Sequence, residues 1–185
     1  MADPTAPSFS KVVLITGGSS GLGRSMCERL AATGHRVYGT GRQVKGLEPQ
    51  NAFTMVGMDV TDAASVQRAV DAVLADAGRI DVLINNAGLG IQGPVEDIDP
   101  ELAHRLMDTN VYGPHRVMRA VLPAMRAQGS GLIINISSIA AHFGLPYRGF
   151  YSASKAALDR LSEALSTEVA RFGIQVVTVQ PGEFN

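Results

Sequence analysis

Tyr151 and Lys155 stand four positions apart in Tyr151-Ser152-Ala153-Ser154-Lys155, a spacing that puts both side chains on one face of a helix. A phenol ordinarily loses its proton near pH ~10, so it is a poor acid or base at neutral pH. An ammonium beside it favours the phenolate, and bringing the phenol to about pH 7 takes roughly 4 kcal/mol of differential stabilisation. The pair alone is a common coincidence, and a tyrosine that merely packs explains it as well. Other polar residues join it. Ser137-Ser138 and Asn85-Asn86-Ala87-Gly88 each end a short apolar run that reads as a strand, and ligands bind at such carboxyl ends in parallel sheets.

A second group could hold phosphate. Thr16-Gly17-Gly18-Ser19-Ser20-Gly21-Leu22-Gly23 follows the apolar run Val12-Val13-Leu14-Ile15 and opens into a helical segment. Glycines let such a loop turn tightly and approach a pyrophosphate at the helix N-terminus. Residues 18–25 also come near the nucleotide-hydrolase loop G-x-x-x-x-G-K-[ST], with Arg24 where lysine belongs. A guanidinium does not replace that compact ammonium. The run Leu83-Ile84 also ends in Asn85-Asn86, without an acid to bind magnesium. The dinucleotide reading remains. A carboxylate ending the second strand would bind the ribose 2′-OH of NAD and repel a 2′-phosphate. Thr40-Gly41-Arg42 offers small residues and then a guanidinium, so NADP(H) is favoured over NAD(H).

These residues need a frame, and the apolar runs supply one. Val12–Ile15, Arg36–Tyr38, Phe53–Val56, Val82–Ile84, Leu132–Ile136 and Gln175–Val179 are continuous, as in strands covered on both faces. Between them lie helical segments at Gly21–Thr33, Ala63–Ala77, Glu101–Gln128 and Tyr151–Phe172. Thr61 or Asp62 can cap the second of these. The third should be interrupted near Gly113-Pro114, and the fourth should lay Leu158, Leu161, Leu165, Val169 and Phe172 on one stripe. That alternation predicts a doubly wound parallel α/β sheet. Gly46 and Pro49 fall in a thin crossover between the second and third strands, and Met1–Phe9, with Pro4 and Pro7, reads as a loose tail. Residues 10–185 form one domain.

Composition narrows the classes further. The 185 residues carry 16 basic and 17 acidic side chains, a balance that speaks against a nucleic-acid partner. Cys27 is the single cysteine, which excludes an internal disulfide and points to a reducing, cytoplasmic compartment. Met1–Ser10 has no signal-peptide pattern, and no apolar run approaches the length of a membrane span. His35, His104, His115 and His142 show no ligand spacing, so no metal site is expected. Met26 and Cys27 read as core, Asp97 and Asp99 as turn and helix-start residues. His142, Phe143 and Tyr147 either touch a substrate or pack their loop.

Taken together, the motifs resemble the short-chain dehydrogenase/reductase family. Thr-Gly-x-x-x-Gly-x-Gly stands at 16–23, Asn-Asn-Ala-Gly at 85–88, Tyr-x-x-x-Lys at 151–155 and Pro-Gly at 181–182. Ser138 precedes Tyr151 with twelve residues between them, and Asn110 falls in Asp108-Thr109-Asn110-Val111. The resemblance implies a Rossmann-type fold and hydride exchange between an alcohol and a ketone or aldehyde. Tyr151 would move the proton, Lys155 would lower the Tyr151 pKa and hold the nicotinamide ribose, Ser138 would polarise the carbonyl, and Asn110 would hold a water leading to Lys155. Gly17, Ser19, Ser20, Gly21, Leu22, Gly23, Arg42, Asp59, Val60, Asn86, Ala87, Gly88, Pro181 and Gly182 would bind the cofactor. Phe143-Gly144-Leu145-Pro146 resembles hydroxysteroid- and retinol-type members, hinting at an apolar substrate. A 3-oxoacyl-thioester reductase and an idle NADP-binding sensor or inactive fragment are the alternatives. The family's seventh strand and substrate-covering segment find no match before Asn185, so a truncated chain is expected. The full-length protein would be a homodimer or homotetramer.

Overall fold

The computed structural model describes residues 10–44 and 53–182. The expected tail at 1–9, the crossover residues Gly46 and Pro49, and Glu183–Asn185 lie outside these residues. Six strands form one parallel sheet: β1 (Val12–Ile15), β2 (Arg36–Gly41), β3 (Thr54–Gly57), β4 (Val82–Asn85), β5 (Gly131–Ile136) and β6 (Ile174–Val179). Their order is β3-β2-β1-β4-β5-β6. The chain therefore reverses its direction of travel between β1 and β4, and a crevice opens there at the strands' carboxyl ends.

The continuous apolar runs are explained by cover on both faces. Val12 and Leu14 pack with Val66, Val70 and Val73 of α2 (Ala63–Ala77) and with Val117 and Val121 of α4 (Gly113–Gln128). Val13 and Ile15 face the other way, onto Cys27, Met26 and Leu30 of α1 (Gly21–Ala32). This is the doubly wound α/β architecture that the strand and helix alternation requires. Asp62 caps α2, its carboxylate accepting from Ala64 N–H at 2.9 Å.

Two expectations take a more definite form. The interruption near Gly113-Pro114 is a π-helical turn, Asp108–Tyr112, through which α3 (Pro100–Met107) passes into α4. One extra residue in the turn absorbs the proline, which supplies no N–H and clashes with the preceding turn. The stripe on α5 (Gly149–Val169) also loses a member. Leu158 and Val169 are buried, whereas Leu161 is 41% exposed at the stripe's flank.

At the opposite, amino-terminal edge of the sheet, Asp81 ties the central strands together. It is buried, its Oδ2 accepts from Val12 N–H at 2.8 Å, and Arg79 donates to its Oδ1 at 2.6 and 3.0 Å. Its own backbone bonds to Val12 and Leu132. Asp81→Ala leaves a buried N–H without a partner, so it should lower the free energy of unfolding by about 2–3 kcal/mol. Asp81→Asn, whose carbonyl still accepts from Val12, should cost less. Urea titration checks both, and an unchanged midpoint for Asp81→Ala would show that the strand ends hold without it.

Candidate active site

The phosphate-binding expectation rests on the turn from β1 into α1. Thr16 is buried at the end of β1, and its hydroxyl accepts from the N–H groups of Asn86 and Ala87, both at 3.0 Å. Asn86 Nδ2 returns bonds to the carbonyls of Thr16 at 3.0 Å and Gly17 at 3.4 Å. Gly17 takes a φ of +70°, the left-handed region glycine tolerates. At Gly23 a Cβ would collide with the Gly17 carbonyl oxygen, so only hydrogen fits between loop and helix. Ser20 sits at the α1 N-cap with no side-chain cap bond, and the first turn carries no acid. The N–H groups there are left for an anion.

Two adjoining clefts open from this turn. The first, of about 680 Å³, is lined by Gly17, Ser19, Ser20, Gly23, Arg42, Asp59, Val60 and Ala87, among others. Asp59 is held below the usual carboxylate range by bonds from the Thr61 backbone and hydroxyl, with Arg42 and Arg116 adding attraction. The second cleft, of about 500 Å³, is lined by Ser138, Tyr151, Lys155, Pro181 and Gly182. Leu22, Asn86, Gly88 and Leu89 border both. A two-part ligand with a central pyrophosphate fits this division.

In the second cleft the reactive groups are fixed by backbone. Lys155 is 6% exposed and donates from Nζ to the Ile136 carbonyl at 2.8 Å. Its amine lies 5.8 Å from the centre of the Tyr151 ring. Burial lowers its pKa to about 8, against the attraction of Asp159. Ser138 accepts from Ala140 N–H at 3.1 Å, which leaves the hydroxyl proton free to donate into the cleft. Ser137 also lines this cleft, and its hydroxyl donates to the Lys155 backbone carbonyl at 3.4 Å, a supporting contact.

Asn110 lies behind the cleft wall rather than on it. Its side chain accepts from Leu89 N–H at 2.7 Å and donates to the Leu89 carbonyl at 2.8 Å and Ser154 Oγ at 3.1 Å. That side chain positions the loop after β4 and has nothing left for a ligand. A Cβ on Gly88 would lie 3.5 Å from Asn110 Oδ1 and 3.9 Å from Lys155 Nζ, which places the two residues on either side of that glycine.

Of the sequence-derived site residues, Gly21 and Asn110 line neither cleft; Gly21 starts α1 with φ +52° and open space around it. The motifs did not flag Leu102, Arg105, Asp108 and Thr109, which line the first cleft, or Ile91, Gln92 and Arg148, which line the second. Leu102 and Arg105 lie on α3, and Asp108 and Thr109 on the π-helical turn that follows it. Among the described residues there is no cluster of His, Cys, Asp or Glu able to hold a metal ion.

A glycine turn at the switch point of a doubly wound sheet, feeding a cleft with a buried lysine beside a tyrosine, defines a dinucleotide-type oxidoreductase scaffold. The chain belongs to the short chain dehydrogenase family, whose model matches residues 11–185. It is 49% identical over 175 residues to a 3-ketodihydrosphingosine reductase of Bacteroides thetaiotaomicron, covering 95% of this chain and 64% of that protein. A short-chain dehydrogenase from Streptomyces avermitilis superposes with a TM-score of 0.89 at 42% identity, over 96% of this chain and 67% of that one. Solved relatives carry either cofactor. A gluconate 5-dehydrogenase from Burkholderia cenocepacia was solved with NADP (TM-score 0.87, 32% identity, 95% and 72% coverage). A 3-ketoacyl-(acyl-carrier-protein) reductase from Brucella melitensis was solved with NADH (TM-score 0.88, 33% identity, 93% and 75% coverage).

The buried amine has a cost that can be measured. Its folded pKa of about 8 lies below the ordinary lysine value of 10.5, so Lys155 costs stability at pH values below about 8. That cost relaxes as the pH rises toward 10.5. The depression corresponds to roughly 3 kcal/mol, of which losing the Ile136 bond takes back about 1. Lys155→Met should therefore raise stability at pH 7 by about 2 kcal/mol, and the gain should vanish near pH 10. Denaturation curves at both pH values decide it; a variant destabilised at pH 7 would refute the account.

Proposed function

We propose that this chain carries the cofactor site and reacting groups of an NADP(H)-dependent oxidoreductase that interconverts an alcohol and a ketone or aldehyde. The observation that carries this reading is a single cleft bordered by the phosphate turn, holding Tyr151, the buried Lys155 and the uncommitted Ser138 proton. When bound, the nicotinamide supplies or accepts the hydride at the substrate carbon. Ser138 donates a hydrogen bond to the carbonyl oxygen, and the Tyr151 hydroxyl gives that oxygen its proton in reduction or takes it back in oxidation. The Lys155 amine, 5.8 Å from the centre of the Tyr151 ring, can reach the nicotinamide ribose. Asn110, beside Lys155 at Gly88, marks the place for a water that returns protons toward Lys155.

The choice of NADP(H) rests on the end of β2. Gly41 closes the strand against Ser19 and Arg42 follows, so the described end of β2 offers a guanidinium rather than a carboxylate. For substrate, exposed Phe143, Tyr147, Val95 and Ile139 supply apolar surface on the segments around the second cleft, beside lining Leu89 and Ile91. That surface favours a largely apolar small molecule, and the substrate named for the Bacteroides relative is a ketone. The reading includes a cytoplasmic homodimer or homotetramer. Cys27 is buried and free, and Leu161 on α5 offers exposed apolar surface for self-association. No helix among the described residues is long and apolar enough to cross a membrane.

Two measurements test this. In fluorescence titrations NADPH should bind at least about tenfold more tightly than NADH, and Arg42→Ala should remove most of that gap, about 1.4 kcal/mol; equal affinities in the unaltered protein would remove Arg42 from cofactor choice. Tyr151→Phe should lower turnover of a responsive carbonyl substrate roughly a thousandfold while leaving NADPH affinity within about threefold. Retained turnover would exclude Tyr151 as the proton donor.

A further inference from the structure

Lys155 is not the only ionisable group that α5 takes out of water. One turn further on, Asp159 is 3% exposed. Its Oδ2 accepts from Gln180 Nε2 at 2.6 Å, while its buried Oδ1 has no hydrogen-bond partner among the described residues. No cation among the described residues forms an ion pair with it. Gln180 in turn places Oε1 2.8 Å from His142 Nε2. A buried carboxylate with one oxygen idle is a net cost to the fold. Its placement points to electrostatic work instead.

The three residues belong to the three segments that carry the second cleft. Asp159 shares α5 with Tyr151 and Lys155, Gln180 immediately precedes Pro181-Gly182, and His142 follows the short turn that begins at Ser138. We propose that Asp159 is a positioning residue of this site: its carboxylate holds the buried Lys155 amine in the charged form and, through Gln180, clamps the Pro181-Gly182 wall to α5. The proposal rests on Tyr151 and Lys155 being the reacting pair.

The surroundings of Lys155 leave this role to Asp159. On its own helix Tyr151 stands one turn before it, the ring centre 5.8 Å from the amine, and Asp159 one turn after it; from β5 comes the Ile136 carbonyl. Gly88 and Asn110, neither ionisable, stand on the opposite wall. Arg148 lines the same cleft as an exposed cation, and its charge opposes that of Lys155. His142 reaches the amine only by way of Gln180 and Asp159. Asp159 is the one carboxylate among these groups. Burial pulls the amine down to about 8, and the Asp159 charge is what acts against that pull. At i, i+4 on one helix the two are neighbours even without a direct bond.

The sequence makes the test direct, because it holds three lysines, Lys11, Lys45 and Lys155. Lysine labelled with ¹³C at Cε gives three signals in the full chain, assignable with Lys11→Arg and Lys45→Arg. Followed against pH without substrate, the Lys155 signal of the unaltered protein should titrate near 8. In Asp159→Asn its midpoint should drop by about one pH unit, and Asp159→Glu should restore most of it. Asp159→Ser, which avoids burying a new amide, should show the same drop. In turnover the alkaline limb of kcat should move down with the midpoint. An unmoved Lys155 midpoint in either neutral variant that folds, judged by circular dichroism, overturns the proposal. A lowered midpoint in a protein without turnover supports Asp159 and removes the enzymatic reading instead.

Discussion

The Thr16 hydroxyl is the small contact on which the site depends. It accepts two backbone N–H groups from Asn86 and Ala87, while the Asn86 amide returns bonds to the carbonyls of Thr16 and Gly17. Together these join the ends of β1 and β4, the two strands between which the sheet changes direction. With that joint made, Gly17 and Gly23 pack at contact distance and α1 starts where an anion can meet its first turn. The next residues of the same loop, Gly88 and Leu89, carry the joint on to Asn110, and Gly88 brings it to Lys155. Hydrogen bonds within a buried polar network reinforce one another and leave little play. A loosened Thr16 would disturb both clefts together.

The helix that carries the reacting pair is unusual in what it buries. Ser152, Ser154, Lys155, Asp159 and Ser162 are all nearly inaccessible on α5. Each serine is satisfied locally. Ser152 accepts from Leu145 N–H, Ser154 donates to the Tyr151 carbonyl, and Ser162 donates to the Leu158 carbonyl while accepting from Asn135. The serines thus cost little, and they make the face narrow enough for α5 to lie close against β5 and its following turn. Lys155 and Asp159 are the exceptions, two charges removed from water without a direct ion pair. Their burial puts that free-energy cost beside the second cleft, which Lys155 lines.

Much of this was legible from residue order. Continuous runs such as Val12–Ile15 announce strands covered on both sides, and the structure places alternate residues of that run against α2 and α4 or against α1. The Gly-Ser turn, Ser138 and the Tyr151-Lys155 spacing reach their places because each is set by local geometry at a strand or helix end. What stayed hidden depends on long-range packing. The π-helical turn at Asp108–Tyr112 has the same apolar periodicity as an ordinary helix, so only Pro114 hinted at it. Arg105 and Leu102 face the first cleft because α3 is laid across its mouth, which no motif spacing encodes. No motif bears on Asp159; its burial goes with Gln180, the residue after β6, which bonds to it from across the site.

The two clefts are built on different physical bases, and that difference says where each will tolerate change. The phosphate end is made of backbone: glycines without room for a Cβ, N–H groups and a buried hydroxyl, so its demands are geometric and any added atom is felt. The reacting end is made of side chains on one stiff helix, so its demands are electrostatic, and volume-conserving changes there act through charge. Between them and solvent lies the segment from His142 to Arg148. It is the least constrained part of the site, yet Tyr147 holds a φ of +63° and its carbonyl accepts from Gly93 N–H at 2.8 Å. A left-handed tyrosine persists only when its neighbours fix it. The Gly93 bond is such a restraint, and it joins the rim before α3 to the rim before α5. The apolar side of the second cleft is thereby shaped by two loops that are remote in sequence and tied at one backbone bond.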